Sequence, residues 1–191
     1  ISGVYLNSGK FLKSSLIVSA LPFDSLVKIL NLSNIPWHNI SHSIQELTWS
    51  PIVNVYVWYD RPVMHEEFCM VLDSPLEWVF NRTAILDTNT DDASHDCATD
   101  RGYCICISVS AAREYINWTK EDIIRFFCDE MESVFIGANE AKILDAVVVK
   151  QPKATICYQI GTNAARPSCS TSIHNLFIAG DWPDTGWPST M

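Results

Sequence analysis

The closing stretch of the sequence, Asn175 to Met191, reads NLFIAGDWPDTGWPSTM and decides the fold. Its apolar residues Leu176–Ala179 predict a short strand. Gly180 follows, where a missing side chain lets the main chain approach a ligand, and Asp181 can accept hydrogen bonds from hydroxyl groups. Prolines, glycines and tryptophans in place of a polar tail indicate a structured segment that contacts a ligand. A packed turn rich in Trp and Pro is the alternative interpretation.

The composition restricts the class of protein. The 191 residues carry a formal net charge of -9, with 13 Lys and Arg against 22 Asp and Glu. Neutralising phosphates needs clustered cations, so this balance argues against binding to nucleic acid or to anionic membranes. The apolar runs are far shorter than the roughly 18 residues that a membrane-spanning helix needs. We therefore expect a globular protein that is soluble or attached to a membrane surface.

The first part of the chain predicts a strand, turn and helix. Two β-prone runs around Asn7–Gly9 predict a hairpin, and Leu16–Ala20 predicts a buried strand. A helix is expected after Pro22, because Phe23, Leu26, Val27 and Leu30 recur with the spacing of one helix face.

The middle of the chain alternates strands with a capped helix. Alternating side chains in SPIVNVYVWYDRPV, residues 50–63, predict a long strand with two usable faces. Thr119 and Asp122 resemble a capping box and predict a helix start at Thr119. Further strands are predicted at Phe68–Leu72, Trp78–Asn81, Tyr103–Ser110 and Ile143–Val149. Together these elements predict an α/β or α+β fold.

The potential metal ligands and thiols lack the spacing of a known site. The seven cysteines contain no C-x-x-C pair, and Cys104 and Cys106 share one face of a predicted strand, so we expect reduced, packed thiols. The acidic loop between Asp87 and Asp100 departs from an EF-hand, because Asp92 stands in the place of the required Gly. We expect a solvated loop and no metal site, with calcium binding as the alternative.

The closing stretch resembles the C-terminal FAD-binding signature of the flavin amine oxidase, protoporphyrinogen oxidase and carotenoid desaturase superfamily. That signature is an apolar strand, Gly with an acidic residue, a spacer and a helix start. GDWPDTGWPSTM is most similar to the squalene-associated FAD-dependent desaturases, or hydroxysqualene dehydroxylases, whose tail has the form GDWTDTGWPATMEGA. Pro183 replaces the usual Thr. The similarity extends to SLIVSALPFDSLVKIL at residues 15–30, to residues 50–63 and to ARP at Ala165–Pro167.

The resemblance implies the C-terminal part of an FAD/NAD(P)-binding Rossmann-type fold with an inserted mixed-sheet, α+β substrate lobe. Residues 1–30 would be a returning part of the FAD-binding domain, residues 31–150 the substrate lobe, and residues 151–191 the return to the FAD-binding domain. Because the sequence contains no G-x-G-x-x-G motif, we expect the N-terminal dinucleotide-binding fold to lie outside it. The 191 residues alone are then expected to be inactive.

The resemblance also implies FAD as the cofactor. Gly180 and Asp181 are expected at the ribityl and pyrophosphate region. The other implied cofactor-binding residues lie along the ring or lead to it, at Gly186, Trp187, Pro188, Thr190 and Met191. A metal ligand or a catalytic acid or base is not assigned, because the flavin carries the chemistry.

For the parent protein, the resemblance implies an FAD-dependent oxidoreductase acting on a long isoprenoid. The expected reaction removes the hydroxyl of hydroxysqualene to give squalene in hopanoid biosynthesis. The alternatives are a carotenoid desaturase of the phytoene type, a flavin amine oxidase and, in another class, a non-catalytic binding module. The expected partner is an apolar isoprenoid, without nucleic acid. The expected location is cytoplasmic, with peripheral contact to the inner membrane.

Overall fold

The structure is a computed structural model that describes residues 1–36, 40, 44–87 and 102–189. The chain divides into two compact units. The first unit contains Ile1–Trp49 and Thr155–Met191, and the second unit is Ser50–Ala154. The division expected at residues 30 and 150 is defined by function and stays a prediction.

The elements follow the chain in a mixed α/β order. The first are β1 (Gly3–Tyr5), β2 (Phe11–Lys13), β3 (Ile17–Ser19), α1 (Phe23–Leu32) and a 3-10 turn (Ile44–Glu46). Next come β4 (Trp49–Tyr59), β5 (Phe68–Met70), β6 (Trp78–Asn81), α2 (Arg82–Asp87), β7 (Tyr103–Val109), α3 (Lys120–Val134) and α4 (Ile136–Glu140). The last are β8 (Ile143–Ile156), α5 (Thr162–Ala165) and β9 (Leu176–Ile178). The predicted mixed α/β fold class is confirmed.

A five-stranded sheet in the order β5-β6-β7-β4-β8 forms the centre of the second unit. The pairings from β5 through β6 and β7 to β4 are antiparallel. The period of two along β4 divides its side chains between two faces. Val53, Val55 and Val57 are fully buried in the core, whereas Tyr56 and Trp58 are half-buried on the opposite face. The predicted two-faced strand is therefore confirmed.

Helix α3 contributes the other side of this core. The Thr119 hydroxyl accepts the Asp122 N–H at 3.0 Å, which satisfies one of the unpaired donors of the first turn. Ile123, Phe127 and Met131 are fully buried in one cluster with the valines of β4. The helix start predicted from the sequence is confirmed.

The first unit is built on a short parallel strand pair. β1 and β2 form the predicted hairpin, and β3 pairs in parallel with β9. Helix α1 begins after Pro22, whose restricted φ suits a helix start, and buries Phe23, Leu26 and Leu30. These side chains belong to a cluster that also contains residues of β9 and of the loop after it.

Three strand predictions need correction. The strand predicted at Phe68–Leu72 ends two residues earlier, at Met70. Leu16–Ala20 forms a strand only over Ile17–Ser19, and its expected burial is wrong, because Val18 is 56% exposed. Within the described residues, β3 is paired at one edge with β9, and its Val18 face carries no covering layer. The strand predicted to end at Val149 continues to Ile156 through polar residues that hide its apolar period.

The described ranges can be searched for membrane-spanning helices, clusters of metal ligands and free thiols. Across the described ranges, no helix has the length and apolar character needed to cross a bilayer. No group of three or more metal-ligating side chains occurs in these same ranges. Six cysteines are free thiols there. Residues 88–101 lie outside the described residues, so the solvated acidic loop stays a prediction.

Candidate functional site

Strands β3 and β9 run in parallel and end side by side. Ser19 and Ile178 form the last register pair, and the Ala179 N–H donates to the Ser19 carbonyl oxygen at 2.9 Å. Ligands of parallel α/β sheets bind outside the carboxyl ends of the strands. Residues 180–189, which we call the tail loop, therefore begin where a ligand site is expected.

Two glycines determine the path of the tail loop. Gly180 has φ +133° and Gly186 has φ +79°, a region that residues with a Cβ rarely adopt. A Cβ on Gly180 would meet the Trp182 ring at 3.5 Å, an ordinary contact, and a Cβ on Gly186 would meet open space. Glycine is therefore required at these positions for its backbone conformation and not for lack of space.

The two tryptophans of the tail loop have opposite environments. Trp182 is 2% exposed, its indole Nε1 donates to the Leu21 carbonyl oxygen at 2.9 Å, and its ring meets the Phe23 ring edge-on. Trp187 is 76% exposed. Trp182 thus anchors the loop to the first unit, while the ring of Trp187 is free to pack on a flat ligand.

The two carboxylates of the tail loop also differ. Asp184 Oδ1 accepts the Gly186 N–H at 3.0 Å and stabilises the turn between them. The Asp181 side chain is exposed, and no described residue donates a hydrogen bond to its carboxylate. Asp181 can therefore accept hydrogen bonds from the hydroxyl groups of a ligand.

A buried arginine outside the tail loop holds the loop together. Arg166 is 7% exposed and follows α5 directly. Its guanidinium donates to four main-chain carbonyl oxygens of the tail loop, those of Asp181 at 3.2 Å, Trp182 at 3.1 Å, Pro183 at 2.5 Å and Trp187 at 2.8 Å. A single side chain therefore contacts main-chain groups near both ends of the loop.

The end of the tail loop is fixed by Tyr158. The Tyr158 hydroxyl accepts hydrogen bonds from Arg166 Nη1 at 3.0 Å and from the Ser189 N–H at 2.8 Å. Ser189 is fully buried, and its hydroxyl oxygen has no hydrogen-bond partner among the described residues. Buried hydroxyls are normally paired, so a hydroxyl without a partner among the described residues is unusual.

A second candidate surface lies on the sheet of the second unit. The face opposite the core carries the aromatic side chains Tyr56, Trp58, Phe68, Trp78 and Phe80, which we call the aromatic face. Trp78 and Phe80 stack at 6.2 Å between ring centroids, and Phe68 is 56% exposed. A shallow cavity of about 330 Å³ is lined by Phe68, Trp78, Phe80 and Ser108. The surface suits an apolar ligand.

Two thiols and a phenol on the aromatic face have raised pKa values. Burial raises the pKa of the Cys104 thiol to about 11 and also raises the pKa of Cys106. The pKa of Tyr56 is raised, mainly by burial and then by the neighbouring Cys106. The Arg82 guanidinium lies 5.9 Å from the centroid of the Tyr56 ring, within the range of a cation–π contact.

Residues 2–191 match the family described as flavin containing amine oxidoreductase. The chain belongs to this family. Family membership accounts for a parallel strand pair that runs into a Gly-Asp loop, because flavin enzymes place the cofactor at the carboxyl ends of such strands.

Individual members of the family show the same relationship at low identity. The chain is 26% identical over 201 residues to a 15-cis-phytoene desaturase of Glycine max. This alignment covers 100% of the chain and 33% of that desaturase. The chain is also 31% identical over 87 residues to a hydroxysqualene dehydroxylase of Zymomonas mobilis. This alignment covers 46% of the chain and 20% of that dehydroxylase. The matched region thus spans between 20% and 38% of the length of curated relatives such as these.

A solved structure of an oxidoreductase from Methanosarcina mazei has the same fold. The TM-score is 0.65 at 13% sequence identity, over 95% of this chain and 41% of the other. At this identity the likeness concerns the fold, and the chain corresponds to less than half of the solved one.

The free groups of the tail loop fit a flavin. A flavin has a hydroxylated arm, a flat ring and a carbonyl edge. Asp181 offers a carboxylate acceptor, Trp187 an exposed ring, and Ser189 a buried hydroxyl without a partner among the described residues. The Asp181 carboxylate could hold the hydroxylated arm of a flavin, and the Trp187 ring could pack on its flat ring.

The structure brings most of the predicted cofactor-binding residues into one loop. Gly180, Asp181, Gly186, Trp187 and Pro188 all lie in the tail loop, whereas Thr190 and Met191 lie outside the described residues. Their contact with FAD stays a prediction. Arg166 and Tyr158 were missed as supporting residues. The ARP motif contains Arg166, but the motif alone does not reveal which atoms the guanidinium reaches.

Proposed function

We propose that this chain is the C-terminal part of an FAD-dependent oxidoreductase that converts hydroxysqualene to squalene. The observation that carries the proposal is the tail loop, which leaves a parallel strand pair with the Asp181 carboxylate and the Trp187 ring both free for a ligand. The similarity to a hydroxysqualene dehydroxylase and the stretch GDWPDTGWPSTM support this substrate.

The tail loop would bind and orient the cofactor. When bound, a flavin supplies hydride chemistry at its ring. In the proposed reaction the carbon–oxygen bond breaks, the hydroxyl takes up a proton and leaves as water, and a hydride completes a new carbon–hydrogen bond with two electrons from reduced flavin. Asp181 would accept hydrogen bonds from the flavin arm, and Trp187 would pack along the ring.

The aromatic face would bind the isoprenoid. Its stacked rings and uncharged thiols offer an apolar surface over several strands, and a squalene-type chain presents only hydrocarbon to it along most of its length. Binding there excludes water from the hydrocarbon and draws on the hydrophobic effect, at roughly 25 cal/mol for each Å² of apolar area buried.

The exposed side of β3 would receive the dinucleotide-binding fold of the same protein. Leu16 and Val18 are more than half exposed there, and a cavity of about 470 Å³ lies between β3, α1 and the β1 strand. Parallel sheets are normally covered on both faces and contain more than one pair of strands. Residues 1–30 and 151–191 would then complete a larger parallel sheet.

A carotenoid desaturase is the second candidate function. The phytoene desaturase of Glycine max aligns with the whole of this chain, whereas the hydroxysqualene dehydroxylase aligns with 46% of it. Both substrates are long isoprenoids, so the aromatic face does not separate them. A flavin amine oxidase and a non-catalytic module are the remaining alternatives.

A location at the cytoplasmic surface of the inner membrane is part of the proposal. Long isoprenoids dissolve in bilayers, so an enzyme acting on them must meet the membrane. Met70, the last residue of β5, and Leu72, two residues after it, are 54% and 74% exposed and line a cavity with Trp78 of the aromatic face. These side chains offer an apolar contact for a bilayer that needs no anionic lipid.

The test is purification of the full-length protein, with measurement of bound flavin and of products. We expect a yellow protein that releases FAD on denaturation. With photoreduced flavin we expect conversion of hydroxysqualene to squalene, and with oxidised flavin and an added electron acceptor we expect no desaturation of phytoene. Phytoene as the better substrate would transfer the assignment to a desaturase, oxidation of amines would transfer it to an amine oxidase, and a colourless protein that does not bind added FAD would overturn it.

A further inference from the structure

Arg166 is buried with neutral partners. Besides the four carbonyl oxygens of the tail loop, its guanidinium donates to the Tyr158 hydroxyl and at 3.5 Å to Asn163 Oδ1. Among the described residues, no carboxylate lies within ion-pair distance of it. Burial of a charge is costly unless its hydrogen bonds are made, and here every nitrogen of the guanidinium donates to the protein.

The contacts of Arg166 join the two ends of the tail loop. Its Nη2 donates to the carbonyl oxygen of Asp181 at the start of the loop, and its Nη1 to that of Trp187 near the end. The side chains of both residues are free for a ligand. Because the carbonyl groups converge on the guanidinium, the distance between the two residues depends on this one side chain.

We propose that Arg166 is a positioning residue for the flavin: by holding both ends of the tail loop, it sets the separation of the Asp181 carboxylate and the Trp187 ring before the cofactor binds. The inference rests on the proposed function and concerns the same site. In this proposal Arg166 touches neither the flavin nor the reacting atoms. It acts through the main chain of the tail loop.

The proposal requires the fork of an arginine, and charge alone is insufficient. A lysine ammonium is a compact point charge on a flexible stem and cannot reach carbonyl oxygens on both sides of a planar group at once. Preorganisation lowers the cost of ordering a loop when a ligand binds, so losing it weakens the affinity even where each ligand contact survives.

The experiment compares full-length variants by flavin titration, by the absorption spectrum of bound flavin and by unfolding. We expect Arg166→Lys and Arg166→Gln each to weaken FAD binding by about tenfold or more, because hydrogen bonds to a charged group are among the stronger ones. We also expect the vibrational structure of the flavin band to be lost. Arg125→Gln, which removes an exposed arginine of α3, should change neither quantity.

A stability control separates positioning from folding. Leu47→Ala removes a buried side chain of the same unit that lies outside the tail loop, and it should lower the unfolding temperature without changing the flavin spectrum. All titrations are made at a temperature where each variant is fully folded. If Leu47→Ala alters affinity and spectrum as much as Arg166→Lys does, Arg166 acts only through stability and the inference is overturned.

A milder variant keeps the test decisive if the Arg166 variants do not fold. Tyr158→Phe removes one acceptor from Arg166 and the acceptor of the Ser189 N–H while preserving the ring. We expect FAD affinity to fall about threefold to tenfold with the fold retained. Unchanged affinity in Tyr158→Phe and in any folded Arg166 variant would overturn the inference, whereas failure of the wild-type protein to bind FAD would overturn the proposed function instead.

Discussion

The indole N–H of Trp182 donates to the carbonyl oxygen of Leu21 across 161 positions of sequence, at 2.9 Å. This bond ties the loop after β9 to the turn between β3 and α1. The carboxyl ends of both parallel strands are thereby held at one place, where the candidate ligand groups are exposed.

Replacement of Trp182 tests this tie. Trp182→Phe removes the indole donor and leaves the Leu21 carbonyl oxygen without its partner. We expect a loss of about 1 to 3 kcal/mol in the free energy of unfolding, measured by urea denaturation of the full-length protein. A change below about 0.5 kcal/mol would show that the bond does not stabilise the first unit.

Replacement of Trp187 should have the opposite profile. Trp187→Ala removes an exposed ring, so the free energy of unfolding should stay within about 0.5 kcal/mol of the wild-type value. FAD affinity should fall about threefold to tenfold, the range expected from loss of an aromatic contact. Flavin titration of the two Trp variants side by side checks this, and equal affinity for wild type and Trp187→Ala would count against a ring contact.

The two tail-loop aspartates provide a matched pair. Asp181→Ala should weaken FAD binding by about tenfold and leave stability unchanged, because its carboxylate has no partner among the described residues. Asp184→Ala should lower stability, because Asp184 accepts the Gly186 N–H. Titration and thermal unfolding of both variants measure the contrast. A stability loss confined to Asp181→Ala would reverse the assignment.

The ionised carboxylate of Asp60 should stabilise the second unit, and this stabilisation should be lost in acid. Its pKa is lowered by the hydrogen bond from Arg61 and then by the Lys142 N–H, which the carboxylate accepts at 2.9 Å. Because the folded pKa lies below the unfolded one, the stabilisation is present above the ordinary carboxyl pKa of about 4 and is lost as the pH falls through the folded pKa.

The measurement for Asp60 is the unfolding temperature as a function of pH. Asp60→Asn should unfold at a lower temperature than wild type at pH 7, and the difference should shrink as the pH falls below about 4. Asp145→Asn serves as a control, because Asp145 lies on the neighbouring strand β8 and forms no ion pair with any residue that the structure describes. If the difference in unfolding temperature between wild type and Asp60→Asn grew on acidification, the ionised form of Asp60 would not be the stabilising one.

The thiols of the second unit report on the aromatic face. Burial raises the pKa of Cys104 and of Cys128 to about 11, so roughly a thousandth of each is thiolate at pH 8 and alkylation should be slow. Bound isoprenoid should protect Cys104, which shares the aromatic face, and leave Cys128 in the core unaffected. Mass spectrometry of iodoacetamide-treated protein measures both, and equal protection of the two would argue against binding at that face.

Local patterns predicted many of the elements because they depend on neighbouring residues. The alternation in β4, the Thr119 cap of α3 and the spacing of Phe23, Leu26 and Leu30 in α1 all appear in the structure as expected. The prediction that β3 is buried was wrong, because the burial of a strand depends on the elements that cover it and not on its own composition.

The candidate site shows the same division. The sequence alone determined that a strand leads into Gly180 and Asp181 and that a loop with a second glycine follows, because these are properties of consecutive residues. Only the tertiary structure decided that Trp182 is buried while Trp187 is exposed, and that Arg166 holds the loop. A hydrogen bond between residues 15 to 21 positions apart depends on how the chain folds back, and no local period encodes that path.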